Sequence, residues 1–167
     1  MIKIFKLVII SAVVLFVLIT ALSLLLPSHV RVSRAVNISA PPEMIIREIS
    51  NINEWKKWNR FVILADSMKT LKTISNAQLE TDVIAVDLRE VKGDTVKTNW
   101  RQNNGRLSHS NFALVPGNNY TVVQWYFDFH LQWYPWQKFQ SIIYDKQLGP
   151  HMEASLQNLK HLVESAN

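Results

Sequence analysis

The sequence predicts an α+β domain in which a long C-terminal helix lies across an antiparallel sheet, preceded by one N-terminal transmembrane helix. Three features support this fold class: an uncharged apolar run near the N-terminus, a series of alternating segments separated by turns, and an amphipathic segment at the C-terminal end. The part of the chain after the apolar run, roughly 140 residues, is long enough for one domain with a sizeable core. We therefore assign residues 1–27 to a membrane anchor and residues 28–167 to one folded domain.

The apolar run extends from Leu7 to Leu26 and contains no charged residue, since only Ser11, Thr20 and Ser23 interrupt it. About twenty apolar residues in a helix span the hydrocarbon core of a bilayer, and Pro27 marks the end of the segment. The run is longer than the roughly 7–15 apolar residues of a signal peptide, and no A-x-A-like cleavage site precedes Pro27. The sequence therefore favours an uncleaved anchor over a cleaved signal peptide, and a buried core helix fits less well than either.

The charges around this segment bear on its orientation. Lys3 and Lys6 favour a cytoplasmic N-terminus, whereas Arg31 and Arg34 lie almost as close on the other side and reduce the bias. A short N-terminal tail usually stays in the cytoplasm while the following domain crosses the membrane. We therefore expect a single-pass protein with an extracytoplasmic domain.

The composition excludes several classes of site. The chain has no cysteine, which excludes disulfides, thiolate metal sites and a lipid-modified cysteine. Its formal net charge is +5, but no basic run is long enough to indicate nucleic-acid binding. A mildly basic domain beside an anionic bilayer is the plainer interpretation of this charge.

The first predicted strand, Val30 to Ile38, alternates between apolar and polar residues, which is typical of a strand with one core-facing side. Arg34 breaks the pattern because it falls on the apolar side. One interpretation is an arginine near the rim of the sheet, with its stem covered and its charged end in water. The other, less ordinary interpretation is an anion-binding group at the mouth of a cavity.

The domain then continues with two short helices and a meander of strands. Ser39 to Glu43 ends the first strand and begins a helix, and a second short helix ends in Trp55-x-x-Trp58. Regularly spaced turns follow, and they separate these predicted strands: Leu71 to Ile74, Leu79 to Val91, a strand containing Val96 to Trp100, Leu107 to Val115, and Tyr120 to Leu131.

The two C-terminal elements show which of their faces are buried. The last strand has polar residues on one side, whereas the other side is apolar throughout: Val123, Trp125, Phe127, Phe129 and Leu131. The final helix is predicted to begin at Gly149-Pro150 and to reach Glu164. Its apolar stripe is expected to face the sheet and consists of Met152, Leu156, Leu159 and Val163.

The order of these elements resembles the polyketide cyclase/dehydrase branch of the START-like (SRPBCC) superfamily over about Val30 to Glu164. The motifs that carry the resemblance are Ala40-Pro41-Pro42-Glu43, Trp55-x-x-Trp58-Asn59 and a closing Leu148-Gly149-x-x-Met152-Glu153-x-x-Leu156-x-x-Leu159-Lys160-x-x-x-Glu164. The resemblance implies a helix-grip fold, which is a curved sheet wrapped around the C-terminal helix with a hydrophobic cavity between them. Members of the family commonly carry a glycine-rich hairpin around Ser75 to Glu90, where this chain has no glycine.

Aromatic residues dominate the candidate ligand site. Seven of them could converge between sheet and helix and suit an apolar ligand: Trp58, Phe61, Trp100, Phe112, Trp125, Phe127 and Phe129. The same rings could instead fill the space as ordinary core, and the sequence leaves both interpretations open. Arg34 completes the candidate ligand-binding set. A second aromatic cluster could cap the sheet or rest at a bilayer interface: Tyr126, Trp133, Tyr134 and Trp136.

The sequence offers little that indicates a catalytic or metal site. It has no glycine-rich phosphate loop, no HExxH and no G-x-S-x-G. Asp128 and His130, with His109 from the neighbouring strand, could form a general base or part of a metal site. They fall opposite the apolar stripe, however, where a solvated outer surface is the better interpretation. We therefore assign no catalytic residue, metal or cofactor.

These observations predict a membrane-tethered domain that binds a lipid or another hydrophobic small molecule between the sheet and the C-terminal helix. Two alternatives remain: an enzyme of the cyclase or hydratase kind, as the resemblance implies, and a protein-interaction scaffold with a filled cavity. An enzyme would need polar groups with shifted pKa values inside the cavity. A scaffold would expose an apolar patch instead.

Overall fold

The computed structural model describes residues 2–25, 27–103, 105–132 and 134–166. In the described residues a sheet of seven antiparallel strands, ordered β1-β7-β6-β5-β4-β3-β2, curves around one long C-terminal helix. This architecture confirms the predicted α+β helix-grip fold. The elements in chain order are α1 (Ile2–Leu24), β1 (His29–Ile38), α2 (Pro42–Ser50), a 3₁₀ turn (Ile52–Glu54), α3 (Trp55–Trp58), α4 (Arg60–Ser67), β2 (Leu71–Ile74), β3 (Gln78–Thr81), β4 (Ile84–Lys92), β5 (Thr95–Gln102), β6 (Leu107–Pro116), β7 (Thr121–His130) and α5 (Pro135–Ser165).

The core lies between the inner face of the sheet and the second half of α5. Strand β1 pairs with β7 so that Val32 lies opposite Phe127 and Val36 opposite Val123, all four buried. The predicted stripe of α5 covers them, and its members are at most 2% exposed: Met152, Leu156, Leu159 and Val163. The inward and outward faces predicted for β7 are therefore confirmed.

The short helices close one side of this core. Helix α3 buries both Trp55 and Trp58 completely, because two residues three apart share one face of a helix. The structure adds α4, which the sequence analysis missed. Asn59 begins that helix, since its side-chain oxygen accepts a hydrogen bond from the backbone nitrogen of Phe61, as expected of an N-cap asparagine.

Helix α5 begins at Pro135, fifteen residues earlier than predicted, and continues through Gly149 and Pro150. The prediction of a helix start at Gly149-Pro150 is therefore wrong. A proline inside a helix removes one backbone hydrogen bond and usually bends the helix. The glycine has a different role, because a Cβ at position 149 would overlap the guanidinium of Arg34. Arg34 Nη2 lies 2.9 Å from Asp145 Oδ1 and therefore ties the first half of α5 to β1.

This contact leads to a prediction about Gly149. Alanine is favoured over glycine inside a helix by about 1 kcal/mol, but here the new methyl group would displace Arg34 from Asp145. Gly149→Ala should therefore give no gain in stability in the natural chain. The same change should give up to about 1 kcal/mol in an Arg34→Ala background. Urea unfolding of the four proteins in a double-mutant cycle measures this, and equal effects in both backgrounds would contradict it.

The predicted strand from Leu79 to Val91 is two strands, β3 and β4, separated by a turn at Asp82 and Val83. Thr81 forms the turn, because its Oγ1 accepts hydrogen bonds from the backbone nitrogens of Val83 at 3.2 Å and Ile84 at 3.0 Å. A threonine side chain thus holds the hairpin for which the resemblance implies glycines. The break was hidden because threonine is itself a common strand residue.

The C-terminal end of α5 is fixed to the end of β1. The backbone nitrogen of Ser39 donates to Glu164 Oε1 at 2.8 Å, and Lys160 Nζ donates to the carbonyl oxygen of Asn37 at 2.6 Å. The hydrogen bond from Ser39, followed by the contact with Lys160, holds the pKa of Glu164 below its usual value. Helix α5 is therefore held in place at its C-terminal end.

Candidate functional site

The seven predicted aromatic side chains converge between the sheet and the helices, but they form two groups. Trp58, Phe112 and Trp125 are completely buried. The centroids of the Phe112 and Trp125 rings are 4.8 Å apart, and Trp58 lies edge-on to both, at 6.1 and 6.4 Å. Trp125 Nε1 donates to Ser110 Oγ at 2.6 Å, which satisfies its polar end. These three rings fill the centre of the core.

The other four rings line a cavity of about 90 Å³ between the sheet and α5, which we call the inner cavity. Trp100 meets Phe127 and Phe61 edge to face, with centroids 5.1 and 5.4 Å apart. The two polar side chains in the lining are neutral, an amide and a hydroxyl. The complete lining is Phe61, Ile84, Trp100, Gln102, Ser108, Phe127, Phe129 and Leu148.

A second cavity of about 140 Å³, the outer cavity, lies next to the inner one and shares Ser108 and Phe129 with it. The rings of Phe129 and Tyr144 lie 4.5 Å apart. Arg106 Nη1 donates a hydrogen bond to the Tyr144 hydroxyl at 3.1 Å, which joins the β5–β6 hairpin to the first half of α5. The outer cavity is more polar than the inner one, and its lining is Arg106, Leu107, Ser108, Phe129, His130, Leu131, Gln132, Gln137 and Tyr144.

Arg34 is placed differently from the seven aromatic residues. It points from β1 into the face covered by α5, and its Nη1 donates to the carbonyl oxygen of Ser33 at 2.8 Å in addition to the ion pair with Asp145. Neither the inner nor the outer cavity includes it among its described lining residues. The observed position is closest to the interpretation of a rim arginine with its stem covered.

Asp128 lies on the outward face of the sheet, as predicted, and forms a two-pronged ion pair with Arg31. The Nε–Oδ1 and Nη2–Oδ2 distances are 2.7 and 3.0 Å, and the guanidinium lies 4.2 Å from the ring centroid of Tyr126. The hydrogen bond to Asp128 raises the pKa of Arg31. His109 is engaged separately, with Nδ1 2.9 Å from Asn99 Oδ1. Within the described ranges, no group of three or more His, Asp or Glu side chains could hold a metal ion.

The outer cavity lies at the end of the domain where α1 joins it. The backbone nitrogen of Leu131 donates to the carbonyl oxygen of Ser28 at 2.8 Å, and Lys138 Nζ donates to Ser28 Oγ at 2.7 Å. Helix α1 also contacts α5. Its segment Lys3–Leu24 is long and apolar enough to cross a membrane. Leu26, the last residue of the predicted span, lies outside the described residues.

Exposed aromatic surface adjoins this end of the domain. The rings of Tyr134 and Trp136 stack with centroids 4.9 Å apart, and Trp136 is 62% exposed. Of the other two members of the predicted cluster, Tyr126 lies under the guanidinium of Arg31 and Trp133 lies outside the described residues. The start of α5 thus presents aromatic side chains beside the point where α1 enters.

Several residues that line the cavities were not predicted as site residues from the sequence: Ile84, Gln102, Arg106, Ser108, Tyr144 and Leu148. Tyr144 and Leu148 belong to the first half of α5, which the apparent helix start at Pro150 concealed. Pro135 carried a usable signal, because proline is common at the first position of a helix.

No family model matches the sequence, and no curated protein sequence matches it. Solved structures do match. A START superfamily protein from Mycobacterium smegmatis is 18% identical with a TM-score of 0.56, and the match covers 82% of this chain and 99% of that one. A Staphylococcus aureus protein of unknown function is 14% identical with a TM-score of 0.62, covering 83% and 95%.

Norcoclaurine synthase from Thalictrum flavum, in complex with dopamine and hydroxybenzaldehyde, also matches. It is 14% identical with a TM-score of 0.55, and the match covers 83% of this chain and 88% of that one. The chain spans about half of DynU16, from the dynemicin biosynthetic locus, with 49% of that protein covered at 13% identity and a TM-score of 0.56. At these identities the likeness concerns the fold alone, and the chain shares its helix-grip architecture with these structures.

Proposed function

We propose that the protein is a membrane-tethered domain that binds a hydrophobic small molecule, such as a lipid, between the sheet and the first half of α5. The observation that carries this proposal is the aromatic inner cavity, which adjoins an outer cavity beside the junction with α1. Apolar pockets with few polar groups suit ligands that are themselves largely apolar. The START-type architecture of the matching structures supports a ligand-binding role.

The two cavities are smaller than usual ligand pockets, so a ligand would have to displace side chains in order to bind. Ligand pockets usually have about 300–1,000 Å³, whereas the inner and outer cavities have about 90 and 140 Å³. A ligand with a long chain would therefore need both spaces and some displacement of Phe129, Tyr144 or the surrounding helix.

The lining of the inner cavity favours binding over acid–base catalysis, whereas the imidazole of His130 lines the outer cavity. Gln102 and Ser108 supply neutral hydrogen-bonding groups to the inner cavity, and such groups orient a ligand without titrating near neutral pH. Of the carboxylates discussed above, Asp128 points to the opposite face of the sheet and is engaged by Arg31, and Asp145 is paired with Arg34. A binding module requires only shape and apolar contacts. The inner cavity offers the apolar contacts, and a fitting shape requires the displacement described above.

Replacing Phe127 is the direct test of this proposal. Phe127→Leu should enlarge the inner cavity at a smaller cost in stability than alanine, and shift the preference toward bulkier ligands. Tryptophan fluorescence of the full chain in detergent reports binding, because Trp100 lies against Phe127. The titration uses a panel of fatty acids, sterols and aromatic polyketides, with product analysis of every mixture.

Asp128→Asn serves as the matched control, since it alters the neighbouring position on the outer face and should leave binding unchanged. A folded protein that binds no member of the panel would contradict the proposal and favour the scaffold. A product that forms with natural protein and disappears with Asp128→Asn would instead establish an enzyme.

A further inference from the structure

The outer cavity lies at the end of the domain where α1 joins it, which makes it a candidate entrance from a bilayer. It shares Ser108 and Phe129 with the inner cavity, so the two spaces are adjacent at these residues. The Phe129 and Tyr144 rings, 4.5 Å apart, lie at this boundary, and both side chains are at most 9% exposed. The outer cavity would join the inner one after a movement of Phe129, which lines both and packs against Tyr144.

The entrance lies where the anchor meets the domain. Leu131 and Gln132 line it, and Leu131 is hydrogen-bonded to Ser28, four residues after the end of α1. Leu107, also in the lining, is 48% exposed, and Trp136 is 62% exposed. Tryptophan and tyrosine prefer the boundary between headgroups and hydrocarbon. Such apolar side chains beside a spanning helix fit a bilayer surface better than water.

The entrance also carries a positive charge next to an apolar interior. Arg106 lines the outer cavity and donates to the Tyr144 hydroxyl at 3.1 Å. Arginine binds carboxylate and phosphate groups through several N–H donors. The inner cavity, in contrast, is lined mostly by aromatic and aliphatic side chains. A molecule that fits both spaces has an anionic head and an apolar chain.

We propose that the ligand is an anionic amphiphile resident in the membrane, which enters through the outer cavity from the bilayer and leaves its head at Arg106. This inference rests on the proposed function, because it requires a spanning α1 and a ligand in the inner cavity. The hydroxyl of Tyr144, on the first half of α5, accepts a hydrogen bond from Arg106. An arriving carboxylate or phosphate would compete for that hydrogen bond, and a movement of Tyr144 would let Phe129, which packs against it, move as well.

Photolabelling from vesicles tests the proposal. The full chain is reconstituted in phosphatidylcholine vesicles that contain a palmitic acid analogue with a diazirine near the chain end. The matching fatty alcohol, which has the same chain but no charge, is used in parallel. After irradiation, mass spectrometry locates the labelled peptides. We expect the acid to label the inner cavity, on the strand around Phe127 and the helix around Leu148.

Two variants separate the charge at the entrance from general effects. Arg106→Gln removes the cation and should reduce inner-cavity labelling by the acid about tenfold, while labelling by the alcohol stays unchanged. Unchanged alcohol labelling also shows that the variant is folded. Arg101→Gln is the matched control, because Arg101 pairs with Asp87 on the outer face and its loss should leave both probes unaffected.

The possible results distinguish entry from the bilayer and the role of the charge from the binding function itself. The same acid is also added to the protein in detergent. Labelling confined to α1 in vesicles, together with inner-cavity labelling in detergent, would overturn the bilayer entrance but keep the binding function. Equal reduction of acid and alcohol by Arg106→Gln, or no reduction of either, would overturn the role of the charge. No inner-cavity labelling under either condition would contradict the proposed function itself.

Discussion

Replacing Leu159 by alanine is expected to lower the free energy of unfolding by about 2–5 kcal/mol, because the lost methyl groups leave a cavity in a close-packed core. Leu159 is completely buried in the second half of α5, where the helix covers the inner face of the sheet. A domain of this kind has only about 5–15 kcal/mol of stability in total. The variant should therefore unfold at a clearly lower temperature, or fail to accumulate.

Gln157→Ala is the control for this experiment. Gln157 lies on the same helix, two residues away, and is exposed, so its replacement should change stability by less than about 0.5 kcal/mol. Circular dichroism during thermal and urea unfolding measures both variants. Comparable losses at the two positions would show that α5 is not held by this stripe.

Introducing two arginines into α1, Val14→Arg and Leu15→Arg, is expected to prevent membrane insertion. Each arginine near the centre of a spanning helix costs about 2.5–3.5 kcal/mol on insertion scales. Both positions are exposed in the structure, so the domain itself loses no buried contact. The substituted protein should therefore move to the soluble fraction and keep its fold.

Conservative replacements at the same positions, Val14→Leu and Leu15→Ile, should leave the protein in the membrane after high-salt washing. Fractionation followed by alkaline extraction separates the cases. Release of the natural chain as a shortened soluble protein would identify a cleaved signal peptide and refute the anchor.

Much of the fold could be predicted because its signals are local. The alternation in β7 and the three- and four-residue spacing in α5 each identified a buried face, and both faces are confirmed. The starting point of α5 could not be predicted in the same way. Gly149 and Pro150 are helix breakers by propensity. The structural reason for the glycine lies on β1, where Arg34 occupies the space beside it and pairs with Asp145.

The candidate site was less accessible to sequence reasoning. An aromatic residue on an inward face can either fill a core or line a cavity, and periodicity is the same in both cases. Trp125 and Phe127 alternate on one face of β7, yet Trp125 is stacked in the core while Phe127 lines the inner cavity. The difference depends on which helix covers each position. Arg106, at the proposed entrance, lies between β5 and β6. No hydrophobic pattern in that loop indicates its contact with Tyr144.

The unusual course of α5 has a kinetic consequence. Its second half is fixed by buried leucines and by the hydrogen bonds at Ser39 and Asn37. Its first half is tied by contacts such as the ion pair of Arg34 with Asp145, which is 61% exposed, and exposed ion pairs contribute little to stability. The missing backbone donor at Pro150 separates the two halves. Amide protons before Pro150 should therefore exchange with solvent through local opening, and those of the buried positions after it only on global unfolding. Under the proposed function, this local opening would let a ligand leave many times within the lifetime of one folded molecule.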